Sequence, residues 1–112
     1  MADRKDIVEL KQRLGFGERR SGERVVVVQA TPLNAALPTT IVVPLDASPV
    51  VAGRTLGVTV SAAEAGTQRD VTALSWQVRT LVTDRLAPGR VGRLDARTMD
   101  DLDQKLRLVL GL

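Results

Sequence analysis

The chain has 112 residues, enough for one domain over residues 1–112, and its 44% hydrophobic and 26% charged residues are typical of a globular protein. It contains no cysteine and no histidine, which excludes disulfides, thiol nucleophiles, imidazole bases and metal sites built on those ligands. The formal net charge of +3 is compatible with phosphate binding and equally with an ordinary solvated surface. Because cysteine and histidine are absent, any catalysis must use Asp, Glu, Lys, Arg, Ser or Thr.

The chain carries no apolar run of the roughly 20 residues that span a bilayer. Its first 11 residues are densely charged and lack the apolar core of a signal peptide. We therefore expect a cytoplasmic protein that makes no contact with a membrane.

The first half of the chain predicts three strands. Residues 7–10 form a short apolar run typical of a strand, and the glycine-rich, basic segment 11–23 is predicted to be a mobile loop. Residues 25–28 are four consecutive valines, which favours a strand buried on both faces. Residues 31–38 carry two prolines and are predicted to be a connection, and the β-branched residues that follow predict a strand over 39–45.

Shorter elements are predicted in the second half. Short strands are expected at residues 58–60, 71–74, 78–82 and 91–94, with a turn at residues 62–69. Successive short strands followed by one helix argue for a mainly β fold, a small barrel closed by a C-terminal amphipathic helix. They argue against alternating βαβ units.

The end of the chain predicts that helix. Asp95 can cap its N-terminus, and Leu94 and Met99 stand where a hydrophobic staple places its two apolar residues. Gly111 is suited to the left-handed residue that ends a helix. One apolar stripe of the helix contains Met99, Leu102, Leu106, Val109 and Leu110.

Three groups of residues from Arg24 onward resemble the MazF/PemK toxin family, and Lys-Asp-Ile-Val at 5–8 resembles its opening strand. The resemblance therefore covers nearly the whole chain. The first group is the valine strand with Gln29, followed by Asn34 and the strand at 38–45. The second group is Arg69-Asp70 with Gln-Val-Arg-Thr at 77–80. The third group consists of Asp-Arg-Leu at 84–86, Val-Gly-Arg-Leu at 91–94 and the end of the helix at 108–112.

This resemblance implies an SH3-like, CcdB-like β-barrel that forms a homodimer and cleaves single-stranded RNA at short sequences. It implies attack by the ribose 2′-hydroxyl, which leaves a cyclic phosphate and a 5′-hydroxyl without any metal or other cofactor. It also implies a cognate, MazE-like antitoxin whose disordered tail lies across the active-site groove of the dimer.

The resemblance also points to catalytic positions, with two departures. In the family a loop arginine within Gly-x-Arg-Pro is catalytic, whereas here the loop ends Ser-Gly-Glu-Arg without a proline. Arg24 is the nearest arginine, although counting strictly from Gln29 places Glu23 at that position. The second catalytic residue of the family, a Ser or Thr, is replaced by Asp46, with Ser48 two residues further on.

We expect Arg24 to clamp the scissile phosphate, because a guanidinium offers a charged, planar fork to two phosphate oxygens. This expectation requires the guanidinium and the end of the next strand, at Asp46, to share one anion pocket. Asp46 could accept the 2′-hydroxyl proton or could only close a turn, and Ser48 could act beside it or be a turn residue. Arg19 and Arg20 are alternative phosphate contacts on the loop, or else solvated charges.

Three further side chains are candidates for contacts with RNA. Asn34 could read a base edge or stabilise its loop, and Gln77 is predicted to lie in a strand that could face the RNA. Trp76 in the same strand could stack on an unpaired base, although a sole tryptophan is more often part of a core or a dimer interface.

Three hypotheses about function stand side by side. The first is a metal-independent endoribonuclease toxin, and the second is a catalytically weakened relative that binds RNA or an antitoxin peptide. The third, which rests on fold analogy alone, is a toxin that poisons gyrase.

Overall fold

In the part of the chain that the structure describes, seven strands form a curled antiparallel sheet with a C-terminal helix packed on it. The computed structural model describes residues 2–14, 17–48 and 54–112, with the backbone alone described at residues 13, 14 and 17–21. The strands are β1 Asp6–Leu14, β2 Gly17–Val27, β3 Thr39–Asp46, β4 Gly57–Val60, β5 Val71–Leu74, β6 Arg79–Val82 and β7 Gly92–Arg93. The helices are α1 Thr31–Ala36, α2 Ala62–Ala65 and α3 Ala96–Leu110, and 3-10 turns cover Ser75–Gln77 and Thr83–Arg85.

Strand β3 holds the sheet together, because β2, β5 and β6 all pair with it in the strand order β4-β5-β3-β2-β1-β7. Its first half pairs with β6, from Thr39 opposite Val82 to Val42 opposite Arg79. Its last two residues pair with β5, and β2 lies along its other edge. This curled, mainly β architecture with a C-terminal helix confirms the predicted fold class.

The core is aliphatic and lies on both faces of the sheet. Val25, Val26 and Val27 of β2 are fully buried, which confirms the strand predicted from the valine run. The helix-side cluster joins the sheet to α3 and includes Ile7, Val26, Val43, Val58, Val60, Met99 and Leu102. The outer cluster on the opposite face consists of Val8, Leu10, Val25, Val27, Val42 and Leu86.

Strands β1 and β2 continue as a hairpin through the segment predicted to be a loop. Their pairing resumes after an irregularity between Glu9 and Lys11 and runs from Lys11 opposite Arg20 to Leu14 opposite Gly17. The loop prediction is therefore wrong for residues 11–14 and 17–23, while residues 15 and 16 lie outside the described residues. Ladder hydrogen bonds join backbone groups, so polar and glycine-rich residues can pair although they show no apolar alternation.

Two short helices occupy segments predicted to be irregular. Helix α1 begins at Thr31 and has a proline in its first turn, where the missing N–H is not needed and the fixed φ favours a helix. Helix α2 begins after Ser61, whose hydroxyl accepts a hydrogen bond from the N–H of Glu64 while the Glu64 carboxylate accepts one from the N–H of Ser61. The Ser-x-x-Glu pattern is typical of such a capping box, so the sequence held a signal for α2.

Helix α3 matches the predicted C-terminal helix at both ends. The Asp95 carboxylate accepts a hydrogen bond of 2.8 Å from the N–H of Thr98, and Gly111 ends the helix with a left-handed φ of +72°. Leu94 and Met99 are both buried in the helix-side cluster, as the staple requires. The predicted helix is confirmed. Within the described residues, neither α3 nor any other helix has the length and apolar content needed to cross a membrane.

Asp95 makes the helix cap sensitive to pH. Hydrogen bonds from the N–H and the hydroxyl of Thr98 lower the pKa of the Asp95 carboxyl below its ordinary value of 3.8. A lowered folded-state pKa gives stabilisation that is present above a pH of about 4 and is lost as the pH falls through the folded value. Asp95→Asn keeps a capping acceptor but does not titrate. In urea denaturation, we expect the free energy of unfolding of the wild type, relative to that of this variant, to be higher at pH 7 than at pH 3. The same difference at both pH values would show that ionisation of Asp95 does not stabilise the fold.

Close packing of α2 against β7 depends on two glycines. A Cβ at Gly92 would overlap the carbonyl oxygen of Glu64, and a Cβ at Gly66, which has a φ of +69°, would overlap that of Val91. Gly89 also has a left-handed φ, of +78°, but a Cβ there meets nothing within 4 Å. We expect Gly92→Ala and Gly66→Ala each to lower the free energy of unfolding by about 2–3 kcal/mol, and Gly89→Ala by about 1 kcal/mol. Equal losses for the three variants in urea denaturation would argue against this packing.

Candidate functional site

Arg24 lies where β2 enters the valine core. The register of β1 and β2 places it directly opposite Glu9, and its Nη2 lies 3.3 Å from Glu9 Oε1. The same Nη2 donates a hydrogen bond of 3.4 Å to the carbonyl oxygen of Gly66, just after α2. The Nε of Arg24 is buried and has no hydrogen-bond partner among the described residues. The guanidinium is thus anchored at one nitrogen and keeps further donors for a ligand.

An open cleft of about 650 Å³ is lined by this arginine, and we call it the Arg24 cleft. Arg69 lines it as well; this residue is exposed, and its side chain forms no ion pair with a described residue. Two arginines therefore face one cleft, and only one of them is paired with a carboxylate of the described residues. Such an arrangement attracts anions. The lining comes from β2, from just beyond the end of β3 and from the segment after α2, and consists of Arg24, Ala47, Gly66, Thr67, Gln68, Arg69 and Val71.

The adjoining ends of β2 and β3 lie side by side, as the anion-pocket hypothesis requires. Val25 pairs with Pro44, so Arg24 and Asp46 lie one and two residues beyond this pair. Successive side chains of a strand alternate between the two faces of the sheet. Arg24 therefore lies on the face of the helix-side cluster and Asp46 on the face of the outer cluster. The strand ends converge, but Asp46 is not part of the lining of the Arg24 cleft, so the described residues do not form the expected anion pocket shared by the two side chains.

Asp46 and Ser48 form a turn at the end of β3. The Asp46 Oδ1 accepts a hydrogen bond of 2.6 Å from the N–H of Ser48, and both residues are half-buried. This contact is typical of an aspartate that closes a strand in an Asx turn. The turn interpretation of Asp46 accounts for this contact, and its catalytic role stays a prediction.

Asn34 is buried in a hydrogen-bond network around α1. Its Oδ1 accepts hydrogen bonds from Gln29 Nε2 at 2.9 Å and from Thr40 Oγ1 at 2.7 Å. Its Nδ2 donates to the carbonyl oxygen of Ala2 at 3.1 Å. Both polar atoms of the side chain are thus engaged within the fold, and only 8% of the residue is exposed. These contacts hold Asn34 within helix α1 and its surroundings rather than in a loop, and a contact of Asn34 with RNA stays a prediction.

The two alternative phosphate contacts lie in the hairpin. Arg19 pairs with Gln12 and Arg20 with Lys11 in the ladder of β1 and β2. Their backbone positions are described, whereas their side chains lie outside the described residues. Their contact with phosphate stays a prediction.

Trp76 and Gln77 lie in the 3-10 turn Ser75–Gln77, so the strand predicted for them is wrong. The buried Ser75 hydroxyl donates a hydrogen bond of 2.7 Å to the carbonyl oxygen of Leu56, a tertiary contact at the point where β5 ends. Gln77 is exposed, and Trp76 is half-buried. A second open cleft, of about 510 Å³, is lined by Trp76, Arg54, Thr55 and Leu56.

Comparison with known proteins now places the chain in a family. A family model for PemK-like and MazF-like toxins of type II toxin–antitoxin systems matches residues 3–110. The chain belongs to this MazF/PemK toxin family. A sequence comparison with curated proteins finds no match.

Solved structures with the MazF fold cover almost the whole chain. A chain of the MazE–MazF crystal structure from Deinococcus radiodurans shares 19% identity at a TM-score of 0.77, covering 99% of this chain and 97% of that one. The Mycobacterium tuberculosis toxin MazF-mt6 shares 17% identity at a TM-score of 0.75, with 96% and 97% covered. An endoribonuclease in complex with its cognate antitoxin from a mycobacterial species shares 19% identity at a TM-score of 0.71, with 99% and 94% covered. At these identities the likeness shows a common fold.

Three residues around the Arg24 cleft were not among the candidates drawn from the sequence. Glu9 and Gly66 reach Arg24 from distant parts of the chain, and no local pattern reveals such contacts. Arg69 carried a signal, because it belongs to the Arg69-Asp70 pair that resembles the MazF/PemK pattern. Only the cleft shows that its side chain lies near Arg24.

The Asn34 network predicts a loss of stability when that residue is removed. Asn34→Ala takes an acceptor from the buried Thr40 hydroxyl and the Gln29 amide, so we expect the free energy of unfolding to fall by about 2 kcal/mol. Gln77→Ala, at an exposed position, is the control and should change stability by no more than about 0.5 kcal/mol. Urea denaturation followed by circular dichroism measures both variants. A loss for Asn34→Ala as small as that for the control would show that the network contributes little.

Proposed function

We propose that this chain is an endoribonuclease toxin that cleaves single-stranded RNA at the Arg24 cleft without a metal ion. Membership of the MazF/PemK family supports the activity, and one of the structures of similar fold is described as an endoribonuclease. The observation that carries the proposal is the guanidinium of Arg24, anchored by Glu9 and Gly66 beside an open cleft.

The proposed cleavage uses the 2′-hydroxyl of the RNA as nucleophile. The 2′-oxygen forms a bond to phosphorus as its proton passes to a base, and the bond between phosphorus and the 5′-oxygen breaks as that oxygen takes up a proton from water. The products are a 2′,3′-cyclic phosphate and a 5′-hydroxyl. Arg24 stabilises the negative charge that develops on the phosphate oxygens, because its guanidinium stays charged and offers parallel N–H donors.

Asp46 is the carboxylate that we propose to accept the 2′-hydroxyl proton, with the Ser48 hydroxyl beside it. Both residues lie at the end of β3, next to the strand end that carries Arg24. Asp46 and Arg24 lie on opposite faces of the sheet, whereas the attacking 2′-hydroxyl is adjacent to the scissile phosphate. The proposal therefore requires the end of β3 to turn when RNA binds, so that Asp46 faces the Arg24 cleft and the arginine offsets its charge.

The proposal includes a protein partner and a second copy of the chain. Two of the solved structures of similar fold are complexes of a toxin with its cognate antitoxin or with MazE, which supports a cognate antitoxin here. We propose that the toxin acts as a cytoplasmic homodimer and that this antitoxin restrains it. Arg19 and Arg20 of the hairpin and the exposed Gln77 are proposed to contact the RNA beyond the cleft.

Cleavage of mixed-sequence single-stranded RNA in the presence of EDTA tests the proposal. The purified protein should produce discrete fragments with 5′-hydroxyl ends, which polynucleotide kinase labels directly. Arg24→Ala should slow cleavage by about 100-fold or more, because it removes the group that stabilises the developing charge. Arg107→Gln removes an exposed positive charge from the last turn of α3 and should cleave like the wild type. No cleavage at high protein concentration, together with normal growth on induction, would refute the proposal.

The separation of Arg24 and Asp46 favours one second candidate, a relative that binds RNA or its antitoxin but cuts RNA weakly or not at all. In that case RNA binds without scission. Asp46→Thr, which restores the residue type usual in the family, would then restore cleavage. Rapid turnover of RNA by the wild type would remove this candidate.

A further inference from the structure

We propose that Arg69, in the segment between α2 and β5, binds a phosphate of the RNA backbone together with Arg24, and that Glu9 positions Arg24 for this contact. The inference rests on the proposed function, since it takes RNA phosphodiesters as the ligand of the Arg24 cleft. It adds a second cation and a positioning carboxylate to the site.

Arg24 is held at Nη2 and keeps the N–H groups of Nη1 for a ligand. A guanidinium has five N–H donors. The Nη2 of Arg24 contacts the Glu9 carboxylate at 3.3 Å and the Gly66 carbonyl oxygen at 3.4 Å, whereas Nε finds no acceptor among the described residues. Because Nε is buried within the fold, the donors that a phosphate oxygen can reach are those of the terminal nitrogens Nη1 and Nη2.

Arg69 lines the same cleft from a segment whose backbone is held in place. The Thr67 hydroxyl donates a hydrogen bond of 2.7 Å to the carbonyl oxygen of Arg69. The neighbouring Asp70 carboxylate accepts a hydrogen bond of 2.9 Å from the N–H of Ala62, at the start of α2. The Arg69 side chain is exposed and has no ion-pair partner within the described ranges. Its charge is therefore available to a ligand.

The balance of charge in the cleft favours phosphate. Glu9 offsets one of the two arginines, and Asp46 lies on the other face of the sheet. Two planar guanidinium groups present several N–H donors to the oxygens of a phosphodiester and retain a net positive charge. A polar lining from Thr67 and Gln68 accompanies them.

The test measures binding of a mixed-sequence single-stranded DNA oligonucleotide, which has phosphates but no 2′-hydroxyl and so is not cleaved. Fluorescence anisotropy gives the slope of log affinity against log salt concentration, whose magnitude is about 0.7 for each phosphate of a single strand that the protein neutralises. We expect Arg69→Gln to lower this magnitude by about 0.7 and to weaken binding about tenfold at low salt. Arg107→Gln should keep the wild-type slope.

Three results would overturn the role of Arg69. The first is that the wild type does not bind the oligonucleotide. The second is that Arg69→Gln leaves the salt slope of binding unchanged, and the third is that Arg107→Gln lowers this slope as much as Arg69→Gln does. Weaker binding by Arg69→Gln of a polyglutamate peptide alone, with the oligonucleotide slope unchanged, would also overturn it and would assign Arg69 to an acidic protein partner.

Glu9→Gln tests the positioning role on its own. The substitution removes a negative charge near the phosphate, so oligonucleotide affinity should stay equal or increase. The RNA cleavage rate at saturating RNA should fall about tenfold to 100-fold, because Arg24 is then without the carboxylate that orients it. Glu9→Asp keeps the charge and should recover part of the rate. A parallel fall in affinity and rate would show that Glu9 is merely structural and would overturn this part.

The experiments distinguish a failure of the phosphate contact made by Arg24 and Arg69 from a failure of the proposed endoribonuclease activity. If the wild type cuts RNA and Arg69→Gln leaves the salt slope unchanged, the phosphate contact is wrong and the proposed function stands. If the wild type cuts no RNA and the slope falls in Arg69→Gln, the proposed function is wrong and the phosphate contact stands.

Discussion

The register of β2 against β3 is the constraint on which the rest of the structure depends. Val25, Val26 and Val27 are fully buried and alternate between the two clusters on opposite faces of the sheet. Residues 25–28 are all valines, so a slip of one residue would still fill both clusters with valine. The residues that flank the run fix the register, because a slip would separate Arg24 from Glu9 and the buried Gln29 from Asn34. The face on which Arg24 lies is therefore decided by the contacts at the two ends of the valine run.

The same register decides what surrounds Arg24. Because Val26 lies opposite Ile7, Arg24 lies opposite Glu9. The packing of α2 against β7 brings the Gly66 carbonyl oxygen within 3.4 Å of the guanidinium from another direction. Partly exposed ion pairs contribute little to stability, so the effect of these contacts is to orient the side chain. An arginine held in this way binds an anion without first giving up the freedom of a long side chain.

Local signals in the sequence were sufficient to predict the valine strand and α3, because neighbouring residues indicate which side chains are buried and which residues cap the helix. Prediction failed for two different reasons. The hairpin at residues 11–14 and 17–23 depends on backbone pairing between consecutive strands, which a pattern of apolar side chains does not show. The turn at Ser75 depends on a contact between its hydroxyl and the carbonyl oxygen of Leu56, 19 residues away in the chain. Arg24 could be singled out as the basic residue beside a strand, but its contact with Gly66 spans 42 residues of chain. Which residues line the Arg24 cleft therefore became clear only from the tertiary structure.

The departures from the MazF/PemK pattern can be compared by the face of the sheet on which each residue lies. Extending the β2–β3 register by two residues places Glu23 opposite Asp46 on the outer face, and Arg24 on the helix-side face. Arg24 and Arg69 attract a phosphodiester to the helix-side face. A phosphate bound there approaches from the helix side, so Asp46 can accept the proton of the adjacent 2′-hydroxyl only if the end of β3 turns it toward the Arg24 cleft.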